Sequence, residues 1–246
     1  MASATNPLAG LHFATPSAKP YGVIAMDGGQ IDAALGGGLA LGVLHEFTAT
    51  GIEAEHATAS TAFLLPLLAR LPDTKPIFWL ARVCDLYPPG LMCLGLDPAR
   101  LIQLHAVSDN EALACAETLL RAGIANAVVA EVGHAGKLAG RRLQLACLEH
   151  GTSGFVLRRF PYGVGTRTSQ PLISAITRWR IAPAASAPYL GEPGETRLQA
   201  ELLHARGGVA GSWIVEPQET GNAAHPFRLV AALANPPQNL QRRLAS

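Results

Sequence analysis

Apolar residues along this chain fall into short unbroken runs, and the runs alternate with longer stretches in which apolar positions recur every three or four residues. Residues 43–47, 76–83, 101–106, 127–132 and 155–157 are runs of strand length with no polar-facing side, and they predict buried strands. The leucine-rich stretch up to Leu71, residues 110–122 and residues 140–150 predict helices. In the second of these, Ala112, Leu113, Ala116, Leu119 and Leu120 share one side, and Gly123 and Gly151 close the last two as C-caps. Pro66 lies inside the first helix, where an interior proline costs ~3 kcal/mol unless the helix kinks. A kink is therefore expected there. Tyr87-Pro88-Pro89-Gly90 breaks the chain before a short helix that ends near Asp97.

Strands that alternate with helices and are apolar on both faces predict an α/β fold with a mostly parallel sheet flanked by helices. From Ser174 onward the spacing changes, and SAITRWRIAP, TRLQAELLHARG, GSWIVEP and PFRLVAAL predict antiparallel strands added at the C-terminal end of the sheet. Gly36, Gly37 and Gly38 mark a turn into the first core strand. They miss the dinucleotide fingerprint, because Leu41 holds its last glycine slot when Gly36 is the first. Residues 1–22, rich in Ala, Pro, Ser and Thr, predict a flexible arm, residues 23–234 one domain, and residues 235–246 a flexible basic tail.

A length of 246 residues with 49% hydrophobic content suits one substantial domain with a complete core. Cys84, Cys93, Cys115 and Cys147 form no Cys-x-x-Cys pair and have apolar neighbours, which predicts buried, reduced thiols and a cytoplasmic protein. No apolar run approaches a membrane span. Net charge is +1 but unevenly distributed: residues 1–136 hold 6 Lys/Arg against 12 Asp/Glu, and residues 137–246 hold 13 against 6. Residues 137–180 alone carry eight basic residues and the single acid Glu149. Such a block either attracts nucleic acid or an acidic partner, or is an ordinary solvated face.

The loop after the first core strand carries the candidate chemistry. Gly51 opens GIEAEHAT, which has the length of a phosphate-binding frame ending at Thr58. His56 and Ala57 occupy the slots of the second glycine and the lysine, so neither close backbone approach nor phosphate neutralisation is provided. Glu53 and Glu55 would repel a phosphate. Lys19, Lys75 and Lys137, the only lysines, lie too far along the chain to substitute locally. The window is either a degenerate phosphate loop, Gly51-His56-Ala57-Thr58, or simply a strand feeding a helix. Metal-ligand spacings among the eight histidines are missing, as is a Gly-x-Ser-x-Gly elbow, so no metal or cofactor is implied.

Taken in order, GGGLALGVLHEF, YPPGLMCLGLDPARLIQLHAVSDNEALACAETLLRAGIANAVVAEV, RRLQLACLEHG, SAITRWRIAP and LLHARGGVAGSWIVE resemble the ATPase core of RecA. The resemblance is closer to the ImuA family, RecA-like accessory proteins of bacterial damage-inducible mutagenesis cassettes. It spans about residues 27–233 and implies a RecA-like core and a non-catalytic role in damage-induced translesion synthesis (SOS mutagenesis). Expected partners are a Y-family polymerase-like ImuB protein and an error-prone C-family DNA polymerase, with RecA and single-stranded DNA as further candidates. Val83 stands where the resemblance places a catalytic glutamate, in FWLARVCD, so the base that activates water is lost. Glu131, on the Walker B-like strand, either once faced a metal or is a polar residue at a strand end. The alternatives are a DNA-dependent ATPase of the RecA superfamily and a nucleotide-independent DNA-binding module.

Arg158, Arg159 and Arg167 bracket FPYGVGTRTSQP, at a place where the resemblance implies a DNA-facing loop. Phe160 and Tyr162 offer faces for base stacking, and the same aromatic-basic composition suits protein docking. In the tail, Leu240 and Leu244 are four apart and Arg242 and Arg243 lie between them, the pattern of a short partner-binding helix. Two leucines contribute ~1.5–3 kcal/mol each when fully buried, too little to order some ten residues alone. Deleting residues 235–246 is expected to leave the melting temperature nearly unchanged while weakening co-purification with the polymerase-like partner. A large fall in melting temperature, or undiminished association, would make the tail structural or idle.

Overall fold

The computed structural model describes residues 21–49, 53–159, 171–186, 194–218 and 223–233, the side chains of 53–57 excepted. Strand β1 (Val23–Ile24) pairs antiparallel with β2 (Leu39–Ala40), and helix α1 (Gln30–Leu35) lies between them. Asp27 and Asp32 fold this short helix by accepting backbone N–H bonds, Asp27 from Gly29, Ile31 and Asp32, and Asp32 from Met26 and Gly28. Gly36 ends it in the left-handed region, φ 79°. There follow β3 (Leu44–Ala49), α2 (Glu53–Ala69), β4 (Ile77–Ala81), α3 (Pro88–Cys93), β5 (Leu101–His105) and α4 (Asp109–Ala122). The remaining elements are β6 (Ala127–Val132), α5 (Lys137–His150), β7 (Ser153–Arg158), β8 (Thr177–Ala184), β9 (Arg197–Ala205), β10 (Gly211–Pro217) and β11 (Phe227–Leu233).

Every residue of β4, β6 and β7 is buried. A strand with two buried faces has to be sandwiched between helices, and these are. Among the described residues the sheet has nine strands in the order β11-β10-β9-β8-β3-β7-β6-β4-β5. From β8 to β5 all neighbours run parallel, while β9, β10 and β11 form an antiparallel meander. One core holds Phe63, Leu64 and Leu67 of α2 against Phe47, Trp79, Phe155 and Trp179. The opposite core is built by α4 and α5 over β4, β6 and β7, with Leu113, Leu120, Leu143 and Cys147 among its members.

Helix α4 begins at Ser108, whose Oγ accepts from the Glu111 N–H at 3.2 Å while Glu111 reaches back to the Val107 N–H at 2.7 Å. Gly123 and Gly151 close α4 and α5 with φ of 63° and 71°, as their positions predict.

Three expectations change. β8 is not antiparallel: it runs parallel to β3, with His45 opposite Thr177 and Ala49 opposite Ile181. β7 and β8 pair with opposite sides of β3, and the 18 residues between β7 and β8 (159–176) are long enough for the crossover that a parallel arrival needs. Pro88 and Pro89 do not precede α3 but open it, because their fixed φ suits a first turn whose N–H groups have no intrahelical partner. The thiols are not uniformly buried either, since Cys84 and Cys93 are exposed, Cys115 is half-buried and Cys147 alone is buried.

His45 ties the ribbon to the sheet. Its Nε2 donates to the Ala40 carbonyl at 2.8 Å, so Nδ1 is the acceptor and takes the Thr177 hydroxyl proton at 2.7 Å. Thr177 Oγ1 in turn accepts from Trp179 Nε1 at 2.9 Å. Burial pushes the imidazole from its ordinary 6.5 down to about 4, against the opposing effect of the Ala40 bond. The unfolded chain thus binds a proton near 6.5 that the folded chain refuses until about 4, and stability falls as pH drops through that window. Above it the contribution is complete. The slope is ~1.4 kcal/mol per pH unit, and His45→Gln is expected to flatten it in urea denaturation series from neutral pH down to pH ~4.5. An unchanged slope would place the proton elsewhere.

Candidate functional site

Parallel strands end at a common edge, and in open α/β sheets ligands bind in the crevice beyond those carboxyl ends. Here the edge collects the ends of β3, β4, β6 and β7. β3 stops at Ala49 and α2 starts at Glu53, so six of the eight residues of the phosphate-loop frame are helical. His56, Ala57 and Thr58 belong to α2, and Thr58 is exposed. The expected small-residue loop is thereby shortened, because Glu53-Ala54-Glu55 carries good helix propensity. Gly51 lies outside the described residues.

Glu131, the penultimate residue of β6, is 6% exposed, and both of its oxygens are engaged. Trp79 Nε1 donates to Oε1 at 2.7 Å, and Arg159 Nη1 donates to Oε2 at 3.0 Å. Arg159 also forks onto Asp85, at 3.1 Å to Oδ1 and 2.9 Å to Oδ2. The two carboxyls respond differently to one guanidinium. Hydrogen bonds from Arg159 hold Asp85, whose side chain is 43% exposed, below the usual carboxylate range. Burial raises Glu131 to about 7, against the lowering effects of Arg159 and Trp79 and with a further push from the Asp85 charge. Arg159 supplies beside Glu131 the positive charge that a metal ion would bring. Val83, just past β4, is 42% exposed and touches none of this network through a polar atom.

Arg158 is corrected outright. Expected on a surface loop facing DNA or a partner, it is the last residue of β7 and 2% exposed. Its Nε donates to Glu46 Oε1 at 2.8 Å and its Nη1 to the Gly133 carbonyl at 3.0 Å, while the Leu172 N–H donates to Glu46 Oε2 at 3.0 Å. A buried arginine needs such a partner, and Glu46 is 112 residues away in sequence. Arg159 is corrected in the same sense, being turned inward onto Glu131 and Asp85. Arg142 pairs with Glu117 at 2.8 Å and Arg180 with Glu201 at 3.1 Å. Four of the eight basic residues in 137–180 are thus paired with acids among the described residues, and four of their five ion pairs join the acidic first half of the chain to the basic second half. Phe160, Tyr162, Arg167, Leu240, Arg242, Arg243 and Leu244 lie outside the described residues.

Sequence reading missed a cavity of about 610 Å³ beyond the ends of β4 to β6, between the first turns of α4 and α5. Arg82, Ser108, Asp109, His134 and Arg142 are among the residues that line it, and Asp109 accepts from the His134 N–H at 2.8 Å. Its lining comes from three separate segments, which no local pattern links. Among the described residues, no three His, Cys, Asp or Glu side chains gather as metal ligands, and no helix is long and apolar enough to cross a membrane.

Fold and edge together define an α/β protein with a mostly parallel sheet, flanking helices and a C-terminal antiparallel meander, whose carboxyl edge is occupied by its own ion pairs. Over 227 residues the chain is 43% identical to protein ImuA of Caulobacter vibrioides, in strains NA1000 / CB15N and ATCC 19089 / CIP 103742 / CB 15 alike, covering 88% of this chain and 92% of the relative. The chain belongs to the ImuA family. No family model matches it. SulA from Pseudomonas aeruginosa is similar over 48% of this chain and 98% of its own, at 23% identity and a TM-score of 0.42, too low a likeness to define the fold.

Removing Arg159 leaves Glu131 buried without its cation. Arg159→Ala is expected to lower stability by ~3 kcal/mol, since breaking one side of a buried pair strands the other charge. Adding Glu131→Gln should restore most of that loss in denaturant titrations at pH above 8. Equal losses in the single and double variants would show that Arg159 acts elsewhere.

Proposed function

We propose that this protein is a non-catalytic, RecA-like accessory module of damage-induced translesion DNA synthesis, which assembles or regulates an error-prone polymerase complex. The observation that carries this reading is Arg159, which binds Glu131 and Asp85 together at the strand ends. A RecA-like ATPase needs free carboxylates there, one for a metal and one to activate water. Three further features support it: His56 and Ala57 in place of glycine and lysine, Val83 in place of glutamate, and the helical start at Glu53. The strand before the phosphate frame, the strand leading to Val83 and the strand bearing Glu131 run parallel and end at one edge, which supports a RecA-like reading.

Membership of the ImuA family supports the link to damage-induced mutagenesis. It also supports a Y-family polymerase-like ImuB protein and an error-prone C-family DNA polymerase as partners, and RecA as a further one. Next to the filled edge, Val83, Tyr87 and Met92 are exposed apolar residues of the kinds that anchor protein interfaces.

ATP turnover by the purified chain is expected to stay at background with or without single-stranded DNA. Co-purification with the polymerase-like partner is expected to be indifferent to added nucleotide. Turnover that Gly51 or Thr58 substitutions abolish would falsify this reading and make the protein an ATPase. Nucleotide binding alone would leave it standing.

A further inference from the structure

Strands β8 to β11 turn one face toward the core, through Trp179, Ile181, Ala200, Leu202, Trp213 and Val215. Their other face belongs to neither core. α2 packs against β8 and β10, and α1 against β10, while α4 and α5 lie over β3, β4, β6 and β7. Among the described residues no helix covers this outer face. Among the described residues it carries Arg178, Arg180, Arg197 and Arg228 against only Glu201 and Glu216, with Arg206 in the turn directly after β9.

Both glutamates are engaged. Glu201 accepts from Arg180 at 3.1 Å, Glu216 accepts from Arg197 at 2.9 Å, and Arg228 pairs with Glu216 as well. Arg178 and Arg206 form no ion pair within the described residues. A register shift places Arg178 opposite His204, and the Arg206 N–H bonds the Ile176 carbonyl at 2.9 Å, so three basic residues stand together at one end of β8 and β9. Glu46 neighbours Arg178 across the β3–β8 pairing, but its oxygens already serve Arg158 and the Leu172 N–H. Arg178 Nε is shielded from water and has no acceptor, so the guanidinium is left without a local counter-charge.

We propose that Arg178, His204 and Arg206 form a phosphate-binding site that takes the backbone of a nucleic-acid strand. The site stands on these residues and is independent of the accessory role proposed above. His204 has its pKa lowered by partial burial and then by the charges of Arg178 and Arg206, which marks a positive field with no local acid to cancel it. On an open face a small free anion keeps most of its hydration, whereas a polymer adds contacts at Arg180, Arg197 and Arg228. The outer face of these strands bears no Phe, Tyr or Trp within the described residues, so bases find no stacking platform and binding is indifferent to sequence.

The test uses the full chain, a labelled oligothymidylate and inorganic phosphate. In anisotropy titrations, Arg206→Gln and Arg178→Gln are each expected to raise Kd by about tenfold, the scale of one charge-assisted hydrogen bond. The slope of log Kd against log salt should shrink by ~0.7 for each lost phosphate contact. Arg82→Gln, an exposed arginine at the opposite end of the strands, should change neither. Melting curves confirm that the partly buried Arg178 variant folds, and the exposed Arg206 variant carries the test if it does not. The His204 ring signals in NMR spectra should shift saturably with oligothymidylate in the parent chain, respond far more weakly to phosphate, and fail to shift in Arg206→Gln. Shifts with phosphate but not with oligothymidylate would overturn the nucleic-acid assignment. Shifts with neither, or equal weakening by Arg82→Gln, would overturn the site.

Discussion

The ion pair between Glu46 and Arg158 is the interaction on which the architecture of the strand ends depends. Two charges removed from water lose hydration worth several kcal/mol each, and the site compensates with a hydrogen bond for nearly every polar atom on view. Glu46 takes Arg158 and the Leu172 N–H, and Arg158 also reaches the Gly133 carbonyl. One buried contact therefore fixes β3 against β7, the segment leaving β6, and the segment entering β8. Arg159 follows directly on Arg158 and falls within reach of Glu131 and Asp85 because its neighbour is already anchored.

This pairing gives the uneven charge of the chain a meaning within the fold. Glu46, Asp85, Glu117 and Glu131 come from the acidic half, and Arg142, Arg158 and Arg159 from the basic half. Folding brings the halves together, and the field that a linear count would direct outward is largely closed inside. Among the described residues, Arg178 and Arg206 at one end of β8 and β9 keep their positive charge without an acid partner.

Local periodicity made much of the fold legible. The runs at 76–83 and 127–132 lie within one or two residues of β4 and β6, and the glycines after α4 and α5 sit in left-handed conformations as their positions required. What escaped depends on partners distant in sequence. The direction of β8 depends on its pairing with β3, more than 130 residues earlier, and no property of TRWRIAPA encodes that. Helix α1 escaped because six residues between glycines show no period, and two aspartates fold it. At the candidate site, the missing lysine and glutamate could be read at His56, Ala57 and Val83. The inward turn of Arg158 and Arg159 could not, because an arginine beside aromatic and glycine residues looks the same in sequence whether it faces DNA or a buried carboxylate.

The central position of β3 also bears on how the protein is made. This strand is made before both of its sheet neighbours: Arg158 lies 112 residues beyond Glu46, and Thr177 lies 132 residues beyond His45. Throughout that interval its two edges have no native strand to pair with, and long-range parallel pairing is slow even once the partners exist. For more than a hundred residues of synthesis the central strand is accordingly open to the wrong neighbours. Protection during translation, by chaperones or by a partner made alongside it, is thus a requirement set by topology.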